Sequence, residues 1–115
     1  MLWKKTYELS LNRVRDTVRV REGAEAVTLE VDADPMKIVN SLNAARAQLT
    51  AVTNDSPAEE QEAAARTFAS AIFGAEQAEK LMALYRNDAV CVINVCGRYF
   101  GDRLSKLIAE AQKKA

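Results

Sequence analysis

The chain has 115 residues, a length typical of one domain that is large enough to bury a core without disulfides or metal. Its 16 Lys and Arg residues are balanced by 16 Asp and Glu residues, which argues against a dedicated nucleic-acid-binding protein because such proteins usually carry a basic excess. The chain contains no histidine, and this removes the commonest general base and the commonest zinc ligand. We therefore expect a single domain, residues 1–115, that binds partners, is not an enzyme, and uses no metal and no cofactor.

Residues 1–33 are predicted to form the β-rich part of an α+β fold, because apolar and polar residues alternate there with period two. Short antiparallel strands are expected around residues 7–11, 18–21 and 27–31, and residues 22–25 are predicted to connect the last two as a hairpin. The basic residues of this part suit either a solvated sheet face or a phosphate-binding surface: Lys4, Lys5, Arg13, Arg15, Arg19 and Arg21. Trp3 suits either a core position or an exposed anchor.

Residues 34–115 are predicted to form the helical part, a bundle of about four helices. Asp34 is expected to cap the first helix, and Pro35 suits its first turn. Apolar residues then recur at helical spacing, and the helix is expected to end near residues 53–55.

The second helix is predicted to begin with a capping box formed by Ser56 and Glu59, and to end at Gly74. The glutamates near its start suit the positive end of the helix dipole better than acid–base catalysis, since no partner base or nucleophile accompanies them. A shorter third helix is expected over residues 75–86. Asp88 is predicted to cap the last helix.

The last segment begins with β-branched residues that also suit a buried strand. An apolar stripe that repeats at helical spacing from Val92 to Ala111 favours a helix, and so does the acid–base pair Asp102 and Lys106. We therefore predict one long helix over residues 89–113. Within it Gly97 and Gly101 share one face, which indicates either close packing inside the domain or a docking face for a partner chain.

Cys91 and Cys96 lack further metal ligands at suitable spacing, so they are predicted to be free thiols buried in a cytoplasmic protein. No apolar stretch of the sequence approaches the roughly 18 residues of a membrane span, and no secretion signal is recognisable. Open strand edges and the glycine-lined helix face also predict self-association.

Residues 66–114 contain a recognisable series of motifs. A helix rich in alanine and containing phenylalanine leads to Phe73-Gly74, and the segment Glu76-Gln-Ala-Glu-Lys-Leu81 follows. The series continues with Val95-Cys-Gly-Arg-Tyr-Phe100, then Arg103-Leu104 and a lysine-rich end. This series resembles the C-terminal half of the small tail assembly chaperones of long-tailed bacteriophages and prophages.

The resemblance implies a non-enzymatic chaperone that binds the tape measure protein during tail morphogenesis and helps to recruit the tail tube protein. It also implies residence in the cytoplasm of the infected or lysogenic host, without secretion, and absence from the finished virion. A partner helix would use anchors at i, i+3, i+4 and i+7 against the apolar stripe. The candidate contact residues are Tyr85, Gly97, Tyr99, Phe100, Gly101, Arg103 and Leu104.

Two other functions fit the same sequence. A structural head–tail or tail-completion protein of the virion is the alternative, because its strands would also precede its helices. A DNA-binding regulator would use the basic N-terminal residues, but the neutral net charge argues against it. The pair Lys113-Lys114 suits the negative end of a helix, and the resemblance also implies a ribosomal frameshift there that would yield a longer product.

Overall fold

The computed structural model describes residues 13–114, so the strand expected at residues 7–11 and the position of Trp3 lie outside it. It confirms the α+β prediction, because an antiparallel hairpin is followed by helices. The hairpin consists of β1 (Val14–Glu22) and β2 (Glu25–Ala33). The helices are α1 (Pro35–Ala51), α2 (Ala58–Phe73), α3 (Ala75–Leu84), α4 (Ala89–Tyr99) and α5 (Ser105–Lys114), and a π-helical turn at Phe100–Leu104 joins the last two.

The hairpin turns at Gly23, whose φ of 61° is accessible to glycine at little cost, and this confirms the predicted connection between Glu22 and Glu25. The valines and the leucine on one face of the hairpin lie against the helices, and Leu29 has no exposed surface. The arginines at positions 13, 15, 19 and 21 are exposed. The described arginines of the basic cluster therefore lie on the solvent-facing side of the hairpin, as both interpretations of the cluster require.

Two predicted helix starts are confirmed. The carboxylate of Asp34 accepts a hydrogen bond of 2.9 Å from the N–H of Met36, and that of Asp88 accepts bonds of 3.1 and 3.3 Å from the first turn of α4. The predicted capping box at Ser56 is wrong. Its hydroxyl oxygen accepts a hydrogen bond of 2.9 Å from the N–H of Thr53, so it stabilises the α1–α2 connection and does not cap α2.

The third helix is shorter than expected and ends at Leu84. Arg86 and Asn87 adopt left-handed conformations, with φ of 53° and 64°, and these cannot continue a right-handed helix. The N–H of Asn87 donates to the carbonyl of Met82 at 2.8 Å, which closes the helix end without a glycine.

The last segment is helical from Ala89 to Lys114, as predicted, but the π-helical turn interrupts its regular spacing. Its wider turn changes which residues lie above one another. Asp102 does not form the expected pair with Lys106; its carboxylate lies 3.8 Å from the Nε of Arg98, one turn earlier.

One hydrophobic core joins the hairpin to the helices. Leu29 of β2, Leu81 of α3, and Val92 and Cys96 of α4 have no exposed surface and belong to the same cluster. Helix α2 packs against α3 and α4, α1 packs against α2 and α5, and β2 contacts α3. Within residues 13–114, no helix combines the length and the apolar character needed to cross a membrane.

Candidate protein-binding surface

The structure places the seven candidate contact residues in different environments. Gly97 and Gly101 are exposed, whereas Leu104 has no exposed surface. Leu104 is therefore a core residue in this fold, because the helical stripe that predicted it faces inward at this position. Phe100 is partly buried and packs against the core cluster. The three remaining residues, Tyr85, Tyr99 and Arg103, contact other elements of the same chain.

The exposed glycines do not pack inside the domain. A Cβ atom built on Gly97 or Gly101 would meet no other heavy atom within 4 Å, apart from the helix's own backbone and adjacent residues. The interpretation of close packing within the domain is therefore wrong for the described residues, because none of their side chains or backbone atoms approaches these two glycines. Val90 lies seven residues before Gly97 and is 53% exposed, so the same side of α4 also carries an exposed valine.

An apolar groove, here called the helical groove, borders this face. Its apolar lining comes from Leu49 of α1, Ala64 and Phe68 of α2, and Val90 and Ile93 of α4. Its volume is about 330 Å³. The remaining lining residues are Val52, Thr53, Asn54 and Gln61. None of these nine side chains titrates, so the groove suits an apolar side chain of a partner and offers no group for acid–base catalysis.

Gln61 fixes the end of the helical groove where α1 turns into α2. Its side-chain amide donates to the carbonyls of Thr53, Asn54 and Ser56 at 3.2, 3.1 and 2.9 Å. The two N–H groups of this amide are shared among the three carbonyls, and they give the groove a fixed end, which lowers the ordering cost when a partner binds.

Tyr99 and Arg103 serve the fold by holding Asp16 of β1. The hydroxyl of Tyr99 donates to Oδ2 of Asp16 at 2.6 Å, and Arg103 donates from Nε and Nη2 to the two carboxylate oxygens at 2.8 and 2.9 Å. The ring of Tyr99 also stacks on Phe73, with centroids 5.6 Å apart. The Arg103 guanidinium holds the pKa of Asp16 below its usual value, and burial raises the pKa of Tyr99.

Tyr85 follows α3 and lines a depression beside the hairpin turn. Glu22, Glu25, Asp88 and Cys91 line the same depression. Burial, and then the negative charge of Glu22, raises the pKa of Tyr85. Tyr85 is therefore neutral near neutral pH and is separate from the helical groove.

The cysteines show no sign of reactivity. Burial raises the pKa of the Cys96 thiol to about 12, and Cys91, which is partly exposed, also has a raised pKa because of burial and the neighbouring Asp88. Both thiols are therefore protonated near neutral pH, and a protonated thiol is a poor nucleophile and metal ligand. Among the residues that the structure describes, no three acidic or cysteine side chains are grouped as a metal site would require.

Sequence reasoning missed two residues. Val90 belongs to the β-branched start of the last helix, and its position seven residues before Gly97 places it on the same side of that helix. Gln77 gave no local signal, yet its side-chain amide binds the edge of β2 through Glu30.

Comparison of the chain with protein-family models, with curated proteins and with solved structures found no match in any of the three. The resemblance to tail assembly chaperones therefore rests on the motifs of residues 66–114 alone.

Proposed function

We propose that the protein is a non-enzymatic phage tail assembly chaperone that binds the tape measure protein during tail morphogenesis. The observation that supports this most is the exposed surface at Gly97 of α4 and Gly101 of the π-helical turn. Val90 lies on the same side of α4 as Gly97 and lines the helical groove. Each glycine costs about 1 kcal/mol relative to alanine in a helix interior, and no packing within the described residues offsets that cost. Close approach of a partner helix would offset it.

The partner that fits this surface is a helix with an apolar stripe. The glycines allow its backbone to approach α4, and the helical groove accepts one of its apolar side chains. Val90, being 53% exposed, would lose its remaining contact with water in such a complex. A coiled-coil-prone tape measure protein, which the motif resemblance implies, presents such helices along its length.

Co-expression with the tape measure protein of the same phage tests the proposal. We expect the chain to raise the soluble fraction of the tape measure protein and to elute with it. Gly97→Leu is expected to abolish the complex, because its side chain would project from the face that the partner must approach. Ala83→Leu adds similar bulk at an exposed position of α3, away from the helical groove, and is expected to leave the complex intact.

Two outcomes would contradict the proposal. The first is a tape measure protein that is equally soluble with and without this chain, with no complex in size-exclusion chromatography. The second is the stoichiometric presence of this chain in purified virions, detected by mass spectrometry, which the alternative of a head–tail or tail-completion protein requires.

A further inference from the structure

The two outer edges of the hairpin differ in how their backbone groups are bonded. At the β2 edge, the side-chain amide of Gln77 accepts from the N–H of Glu30 and donates to its carbonyl, both at 2.6 Å. Two residues further along β2, the carbonyl of Asp32 accepts from Nη2 of Arg13 at 3.1 Å. Gln77 thus replaces a neighbouring strand at Glu30, so this end of the β2 edge is protected.

The β1 edge lacks such protection among residues 13–114. Glu22 and Glu25 flank a two-residue turn, so they form a hydrogen-bonded pair. Along an antiparallel ladder, hydrogen-bonded pairs alternate with pairs whose backbone groups point outward. The N–H and C=O groups that point away from β2 therefore belong to Arg15, Thr17, Arg19 and Arg21. No described residue bonds to these outward N–H and C=O groups. They form a regular row of donors and acceptors, which is the template that an added strand requires.

A second groove, here called the edge groove, lies beside these groups. Val18 and Val20 of β1 and Val95 and Tyr99 of α4 form its apolar lining, and its volume is about 310 Å³. Its charged lining residues are Arg19, Arg21, Arg98 and Asp102. Since Asp102 lies 3.8 Å from Arg98, the arginines at positions 19 and 21 leave an excess of positive charge along β1.

We propose that the β1 edge binds an extended segment of a partner protein, which adds to the hairpin as a further strand. Alternate side chains of this segment are apolar and face the edge groove, and the intervening side chains are acidic and lie beside the exposed arginines of β1. A second copy of β1 is a poor occupant, because antiparallel pairing of two such strands places arginine near arginine. This surface is separate from the helical groove and does not depend on the proposed chaperone function.

The experiment uses the full chain and a synthetic nonapeptide that alternates valine with glutamate. Residue-resolved hydrogen exchange by NMR reports directly on the outward N–H groups of Thr17 and Arg19. We expect both to exchange rapidly in the protein alone and to become protected when the peptide is added. A peptide with lysine in place of glutamate is expected to give no protection, and binding of the glutamate peptide is expected to weaken as salt is added.

Two variants separate the roles of charge and backbone. Arg19→Glu is expected to weaken peptide binding by about tenfold, because the attraction between Arg19 and the peptide's glutamates becomes a repulsion. Arg86→Glu is the matched control, because Arg86 is exposed and lies outside the edge groove. Thr17→Pro removes one outward N–H donor and the exposed bond of the Thr17 hydroxyl to the carboxylate of Glu30, but no backbone bond to β2. It is expected to prevent peptide binding while the β2 amides stay protected.

Three results would overturn the proposal. The first is protection of Thr17 and Arg19 in the protein alone, which would mean that the chain already covers its own edge. The second is equal binding of the lysine and glutamate peptides. The third is a peptide that protects amides of the helices and leaves β1 unchanged.

Discussion

Glycine has two opposite roles in this chain. Gly74 has a φ of 89° between α2 and α3, a conformation that residues with a side chain rarely adopt. Gly97 lies within α4 in ordinary helical geometry, where glycine is a poor choice. In both cases an added Cβ would meet no heavy atom of another element within 4 Å among the described residues. Steric overlap with such an element therefore does not affect the comparison.

Alanine substitutions at these glycines are therefore expected to change stability in opposite directions. Gly74→Ala should lower the free energy of unfolding by about 1–3 kcal/mol, because its backbone conformation is strained for alanine. Gly97→Ala should raise it by about 1 kcal/mol, because alanine is the better helix former. Urea unfolding followed by circular dichroism measures both, and the wild-type chain is the reference. Destabilisation by Gly97→Ala would show that the glycine serves packing within the domain after all.

At the scale of elements, local sequence signals predicted much of the fold, and contacts distant in sequence determined the rest. The helix starts at Asp34 and Asp88 were predictable because a cap bonds to residues two or three positions away. The bonds from Gln77 to Glu30 and from Arg103 to Asp16 span 47 and 87 residues. No periodicity encodes such pairs, so the protection of β2 at Glu30 was not predicted.

The candidate binding surface was also predictable in part, where it depends on residues close together in the sequence. The spacing of Gly97 and Gly101 predicted either close packing within the domain or a docking face, and the structure shows that both glycines are exposed. The helical groove was not predicted, because its lining residues come from α1, α2, α4 and the connection between α1 and α2. Assigning Tyr99 and Arg103 to a partner surface overlooked Asp16, a partner within the chain that only the folded hairpin brings near.

Asp16 connects β1 to the π-helical turn, and its effect on stability is expected to depend on pH. Bonding to Arg103 lowers its pKa from the usual 3.8, so its contribution is complete well above pH 3.8 and is lost as the pH falls through the lower folded value. Asp16→Asn should lower the free energy of unfolding by about 1 kcal/mol at pH 7, an amount reduced by the solvent exposure of Arg103. The difference from wild type should shrink below pH 3.8.

Urea unfolding at several pH values measures this dependence. Asp102→Asn is the matched control, because that carboxylate is 76% exposed and lies 3.8 Å from its arginine. An ion pair of this kind contributes little. A difference between Asp16→Asn and wild type that stays constant from pH 7 to about pH 2 would contradict the assignment.

At the scale of the whole molecule, the hairpin and the helices depend on one core. Val14 and Leu29 of the hairpin belong to the same buried cluster as Leu81 and Leu104 of the helices. Because neither part has a separate cluster within the described residues, we expect the hairpin and the helices to unfold together. Both candidate binding surfaces would then be lost in the same transition.

The buried thiol of Cys96 offers a way to measure this cooperative opening. It has no exposed surface, so labelling by iodoacetamide should require unfolding and should be much slower than labelling of the partly exposed Cys91. Leu104→Ala leaves a cavity in the core, costs about 2–5 kcal/mol, and should therefore accelerate labelling of Cys96 by about thirtyfold or more. Val90→Ala, at a side chain that is 53% exposed, should leave the rate nearly unchanged.

Mass spectrometry of digested protein measures the labelling of Cys91 and Cys96 over time. Equal labelling rates of Cys96 in wild type and Leu104→Ala would show that Cys96 becomes accessible by a local opening, and the single cooperative core would have to be abandoned.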